Sequence, residues 1–261
     1  MIATAFPVGF FAGLFGIGGG LITVPFLFFL FEALGVDTNY LMHLAVGTSF
    51  AIIIPTSMVS VYTHNKHKSV DPNIVKTYGL FVIVGVLLGT TFAAMAKTKS
   101  LVIFFTIVVF CLGTYLLINS NQQKIRKKKF TLPFRIIFGL LSGFISAPMG
   151  IGGAVMNVPI LKYFGYPIKK AIGSAATIGF IIALCGAIGF WYSGFLLNIK
   201  LPLSIGFINV PAFLIFIPIT MFMARIGANS AHRIDKTQLQ VFFGIFLYVV
   251  GTIFVYRYSG L

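Results

Sequence analysis

Acidic residues are almost missing from this sequence: Glu32, Asp37, Asp71 and Asp235 are the whole set in 261 residues, each near the end of an apolar run. No carboxylate therefore lies within a membrane crossing to relay protons or ligate a cation, which argues against a cation carrier. Cysteine is scarce as well. Cys111 and Cys185 fall inside separate apolar segments, which leaves no disulfide framework and no zinc spacing, so both are expected as buried packing residues. HExxH, GxSxG, a phosphate loop and a carboxylate pair are all lacking. No catalytic residue, metal ligand or cofactor is assigned.

Charge of either sign is sparse, at 9% of residues, where soluble domains carry about a quarter. What fills the chain instead is apolar side chain, 58% of it, as in an integral membrane protein. The nineteen Lys and Arg residues give a formal charge of +15, yet they lie almost entirely between apolar runs. That distribution sets membrane orientation and contact with anionic lipid and excludes a nucleic-acid partner. Eight runs approach the roughly 20 residues a spanning helix needs. They are Ile2 to Phe31, Leu41 to Thr63, Ile74 to Ala96, Leu101 to Ile118, Leu132 to Phe164, Ala171 to Ser193, Leu201 to Ala224 and Leu239 to Tyr256. The N-terminus lacks the basic region of a secretory signal and is kept in the mature fold.

The first run is interrupted by Gly16-Ile17-Gly18-Gly19-Gly20, followed by Thr23-Val24-Pro25. Four glycines, each costing about 1 kcal/mol against alanine in a helix, should open the backbone there. The phrase returns as Gly150-Ile151-Gly152-Gly153-Ala154 with Asn157-Val158-Pro159, and Gly9 to Leu30 matches Gly143 to Phe164 at nine of twenty-two positions. Weaker echoes pair Ala45 to Ser49 with Ala171 to Ala175, Met95-Ala96-Lys97 with Met223-Ala224-Arg225, and Gly113-Thr114 with Gly251-Thr252. The expected organisation is a first membrane repeat over 1–120, a basic cytoplasmic linker over 121–131 and a second repeat over 132–261.

Runs one and five are too long for one crossing and too short for two, so each is predicted as a re-entrant hairpin with its glycines near the midplane. Hairpins improve the charge balance. With the basic linker inside, fifteen of the nineteen cations fall on the cytoplasmic side. Each half then has three full crossings, an odd number, so the halves run in opposite directions with both termini outside. The predicted fold class is an all-α polytopic membrane protein of two inverted repeats, each a glycine-broken hairpin plus three transmembrane helices.

A helix start at each hairpin tip offers unpaired N–H groups and partial positive charge, and two of them facing one cavity would bind a small anion without a formal cation. The candidate substrate-binding residues are Gly16, Gly18, Gly19, Gly20 and Thr23 in the first half, and Gly150, Gly152, Gly153 and Asn157 in the second. Gly47, Thr48 and Ser49, with Gly173, Ser174 and Thr177, are expected to complete an oxyanion shell. Each of these has a competing role in helix packing or in bonds to its own backbone. His43 and His64 flank the second run, and either is a candidate proton carrier.

The duplicated Gly-x-Gly-Gly-Gly phrase, the Val-Pro after it and Ala45-Val46-Gly47-Thr48-Ser49 resemble the sulfite exporter TauE/SafE family across nearly the whole chain. Ala154 and Ala175 depart from the first copy's glycine and serine. The resemblance implies a bacterial inner-membrane secondary transporter, an exporter by family name, for sulfite, thiosulfate or an organosulfonate. It does not fix the solute, direction, coupling ion or oligomeric state, and a homo-oligomer stays open. The alternatives are a passive anion channel, a membrane-embedded enzyme or a non-transporting assembly subunit.

Overall fold

The computed structural model describes residues 2–15, 19–118, 129–231 and 236–258. Gly16 and Gly18, and linker positions 121–128, lie outside the described residues. The elements are α1 (Ile2–Phe15), α2 (Gly20–Ala33), α3 (Leu41–Lys66), α4 (Pro72–Met95), α5 (Thr98–Ile118), α6 (Leu132–Met149), α7 (Ala154–Tyr163), α8 (Ile168–Leu196), a two-residue hairpin of β1 (Ser204–Ile205) and β2 (Ile208–Asn209), α9 (Val210–Ala231) and α10 (Lys236–Tyr258). Helices satisfy their own backbone, which is what hydrocarbon demands. Among the described residues seven helices are long and apolar enough to cross a membrane: α3, α4, α5, α6, α8, α9 and α10.

Local chemistry explains the boundaries. Asp71 caps α4 by accepting from the Asn73 and Ile74 N–H groups, with Pro72 in the first turn, where its missing N–H costs nothing. Run seven begins later than the sequence predicts. Residues from Leu201 onward form the turn and hairpin, with Gly206 at φ 59°, and α9 starts only at Val210. Asn209 caps that start by accepting from Ala212 N–H at 3.0 Å. Both broken runs stop and restart where expected: α2 begins after Gly19 at φ 79°, and α7 after Gly153 at φ 71°. Left-handed backbone of this kind excludes most L side chains, which is why glycine stands there.

α3 and α8 pack against each other at the centre, and their buried faces run from Leu41 to Ile53 and from Ala171 to Gly194. Around them the halves exchange partners: α1 lies along α9, α6 along α4, and α5 along α10. The contacts are reciprocal. Gly143 rests on Val82 of α4 as Gly9 rests on Thr220 of α9, Gly89 meets Phe144 as Gly227 meets Phe10, and Gly113 meets Tyr248 as Gly251 meets Phe110. Small residues let the backbones approach this closely. One common shift aligns α4 with α9 and α5 with α10 through these contacts. The echo between Met95 and Met223 does not survive, because Met95 ends α4 whereas Met223 lies inside α9.

The second broken run turns back on itself. Phe164, just after α7, stacks on Phe130, just before α6, with ring centroids 4.3 Å apart, and Phe134 and Phe138 join the cluster. Outward faces carry apolar side chains at helical spacing, such as Leu80, Val84, Leu87 and Leu88 on α4 and Phe242, Ile245 and Val249 on α10. Such surfaces suit a lipid surround. Cys111 belongs to this exposed surface and Cys185 is half-buried, so the expectation that both are buried fails. Each sits in an apolar segment, but a spanning helix has an apolar outer face as well as an inner one.

Candidate functional site

The two glycine breaks meet. A Cβ at Gly20 would run into the carbonyl oxygen of Gly150, while Gly150 itself lies against Val24 and Val46. From α3, Ser49 Oγ donates to that same Gly150 carbonyl at 3.2 Å. Gly152 lies against Ile53 and Gly179, so α3 and α8 wall the second break on two sides. Contact between Gly20 and Gly150 thus juxtaposes the start of α2 with the turn before α7. The first-turn N–H groups of a helix have no intrahelical acceptor, and at the start of α2 the group packed on Gly20 is the Gly150 carbonyl.

Thr23 and Asn157 hold equivalent positions but behave differently. Thr23 Oγ1 donates to Gly19 O at 2.9 Å and so is satisfied within its own turn. Asn157 is wholly buried, and its Oδ1 accepts from Tyr78 OH and from Ser142 Oγ, both at 2.7 Å. Its Nδ2 has no partner among the described residues, and neither does the hydroxyl of Ser146, one turn along α6 from Ser142. Tyr78, Ser142 and Ser146 were missed from sequence. Tyr78 lies in the third run and Ser142 and Ser146 in the fifth, and only the packing of α4 on α6 assembles them.

Gly47-Thr48 and Gly173-Ser174 occupy matching clamps between the halves. The Asn209 N–H donates to Thr48 Oγ1 at 2.9 Å, and the Asp71 N–H donates to Ser174 Oγ at 2.9 Å. A Cβ at Gly47 would strike the Phe207 carbonyl, and one at Gly173 the Ser69 carbonyl. Each glycine admits a backbone, and the hydroxyl after it accepts from the residue that caps α9 or α4. Thr177 Oγ1 bonds to Gly173 O within α8 at 3.1 Å. The structure thus joins Gly19, Gly20, Ser49, Gly150, Gly152, Gly153 and Asn157 into one neighbourhood, and assigns Thr48 and Ser174 bonds at the two helix starts.

His43 is buried with Nε2 against Ala93 O at 2.9 Å, its ring stacked on Phe207 at 5.0 Å. A carbonyl only accepts, so Nε2 carries the hydrogen and Nδ1 faces the interior without a partner among the described residues. His64 lies in the last turn of α3. No group of three or more His, Cys, Asp or Glu able to hold a metal ion occurs among the described residues. At the far ends of α2 and α10, Glu32 and Arg257 pair at 3.2 Å and line a surface cavity of about 400 Å³ with Phe29, Ala33 and Ile253.

A polytopic helical bundle with broken helices meeting inside it is the architecture of a membrane transporter. The sequence model described as Sulfite exporter TauE/SafE matches residues 1–254, and the chain belongs to that family. It is 34% identical over 244 residues to a probable membrane transporter protein of Haemophilus influenzae, covering 93% of this chain and 92% of that one. A probable membrane transporter protein of Methanocaldococcus jannaschii is 28% identical over 258 residues, covering 96% and 92%. One from Bacillus subtilis is 22% identical over 263 residues, covering 94% and 92%. No solved structure matches the chain.

Proposed function

We propose that this transporter is a secondary carrier of a small sulfur-containing anion such as sulfite, thiosulfate or an organosulfonate, working as an exporter by alternating access. The observation that carries the reading is the meeting of Gly20 with Gly150, which brings the two breaks into contact, together with the unpartnered Nδ2 of Asn157 beside Gly153. Donors and partial positive charge concentrated there, with no cationic side chain needed, suit an oxyanion. Gly16 to Gly20 and Gly150 to Gly153 contribute backbone, and Thr48 and Ser174 hold the neighbouring helix starts that close the site.

An inverted repeat, 1–120 against 132–261 about the linker 121–131, is supported by contacts that eight simple crossings would forbid. Such crossings would put Glu32 and Arg257 on opposite sides of the bilayer, and likewise Thr48 and Asn209, or Ser174 and Asp71; all three pairs touch. With re-entrant runs one and five, each pair shares a side. Both termini then face the periplasm, the basic linker faces the cytoplasm, and the chain sits in the bacterial inner membrane. Rocking of one repeat against the other would expose the site alternately.

The test is flux into sealed proteoliposomes over a panel of sulfite, thiosulfate, sulfate, small organosulfonates, chloride and acetate. Saturable, exchanging flux of one sulfur oxyanion is expected. Equal movement of every anion, independent of counter-substrate, would replace the carrier with a channel.

A further inference from the structure

Although the halves correspond in backbone and packing, their polar side chains at the site do not. The alignment of Gly9 with Gly143 equates Ser142 with Val8, Ser146 with Ala12 and Asn157 with Thr23. The reciprocal contacts that equate Val82 with Thr220 likewise equate Tyr78 with Phe216. Around the second break, Tyr78 of α4 with Ser142 and Asn157 forms a buried network, with Ser146 beside it; around the first break the equivalent positions hold Phe216, Val8, Ala12 and a threonine bonded to its own helix.

Leaving a buried donor unmatched costs about 1–3 kcal/mol, so a native core does so where something else supplies the acceptor. Asn157 Oδ1 accepts from Tyr78 and Ser142, with Tyr78 OH also 3.3 Å from Phe138 O, and Nδ2 is the polar atom of this group left without a partner among the described residues. Nδ2 lies beside Gly153, where a Cβ would come within 2.8 Å of it, and hence over the first turn of α7. Ser146 Oγ adds a hydroxyl at 0% exposure on the Ser142 face of α6.

We infer that the two halves do different jobs: the second break orients the ligand through Asn157 Nδ2 and Ser146 Oγ, and the first break contributes backbone only. Because Nδ2 only donates, the ligand end it meets is a hydrogen-bond acceptor, as an ionised oxyanion head is. Tyr78 and Ser142 are positioning residues that act through Asn157. This inference rests on the anion-carrier reading and assigns the roles within it.

The test uses the full-length protein in proteoliposomes, with radiolabelled sulfite and thiosulfate as probes, and KM and maximal rate measured separately. Asn157→Thr, which installs the residue the first half carries, is expected to raise KM at least tenfold, and Ser146→Ala several-fold, both more than Thr23→Val. Tyr78→Phe should raise KM in the parent protein but add less than twofold in an Asn157→Thr background, because its effect passes through that amide. Stabilisation of the purified protein against heat by each anion is the second readout, so that loss of flux is not confused with loss of fold. Thr23→Val raising KM as much as Asn157→Thr, or Tyr78→Phe and Asn157→Thr acting independently, would overturn the division of labour and leave the carrier standing. A parent protein that moves and binds neither anion would overturn the carrier reading, and this inference with it.

Discussion

Thr48 and Ser174 offer the sharpest trial of the clamps. Thr48→Val keeps the shape of the side chain and removes only the oxygen that accepts from Asn209 N–H at 2.9 Å. Thr48 is wholly buried and Asn209 is 6% exposed, so water has little access to the orphaned donor. The cost is then that of an unmatched buried N–H, about 1–3 kcal/mol, with little added for a cavity. Hydrogen bonds between membrane helices average nearer 0.6 kcal/mol, which pulls the expectation toward the low end, about 1 kcal/mol. Ser174→Ala removes the matching bond to Asp71 N–H, leaves a smaller side chain, and should cost a similar amount. The clamps sit at different helix starts, so the double variant should show the sum. Equilibrium unfolding in mixed micelles measures this, and Thr48→Ser, which retains the oxygen, should recover most of the loss. Substrate affinity of the folded fraction should change less than stability does. Unchanged stability with affinity lost in both variants would refute the clamp and return these hydroxyls to the ligand shell.

Gly20→Leu drives a side chain into the Gly150 carbonyl and should abolish flux while the protein still inserts, checked by membrane fractionation and transport together. Gly153→Leu combines φ 71° with collision against Ile182 and should be as severe; full activity in either would remove the breaks from the site. Glu32→Ala breaks the pair with Arg257, but Arg257 is 58% exposed, so the cost should stay under about 1 kcal/mol in the same unfolding experiment. A reporter fused to the C-terminus should read periplasmic, and a cytoplasmic reading would end the hairpin topology.

Composition and periodicity by themselves determined that the chain is a helical membrane protein, because hydrocarbon leaves a polar backbone few options and the runs are long. The two breaks were equally legible, since glycines clustered within apolar runs and followed by Val-Pro conflict locally with a helix. Their partnership was not. That Gly20 abuts Gly150 depends on how α3 and α8 bring the halves together, and no spacing along the chain encodes it. For the same reason Thr48 and Ser174 read in sequence as hydroxyls of an oxyanion shell or as donors to their own helix, while their acceptor duty to Asn209 and Asp71 comes from packing between residues over a hundred positions apart. The start of α9 was misjudged because Leu201 to Ile208 is apolar enough to pass for helix, and only the turn at Gly206 shows otherwise. Tyr78, Ser142 and Asn157 are the furthest case: three residues on three helices, of which only Asn157 stood out in sequence, become one network, with Ser146 beside it, because α4 lies along α6 with α7 folded back beside them. Local sequence decides where a helix must stop; which donors then face each other is decided by the close approach of helices that only the folded chain brings together.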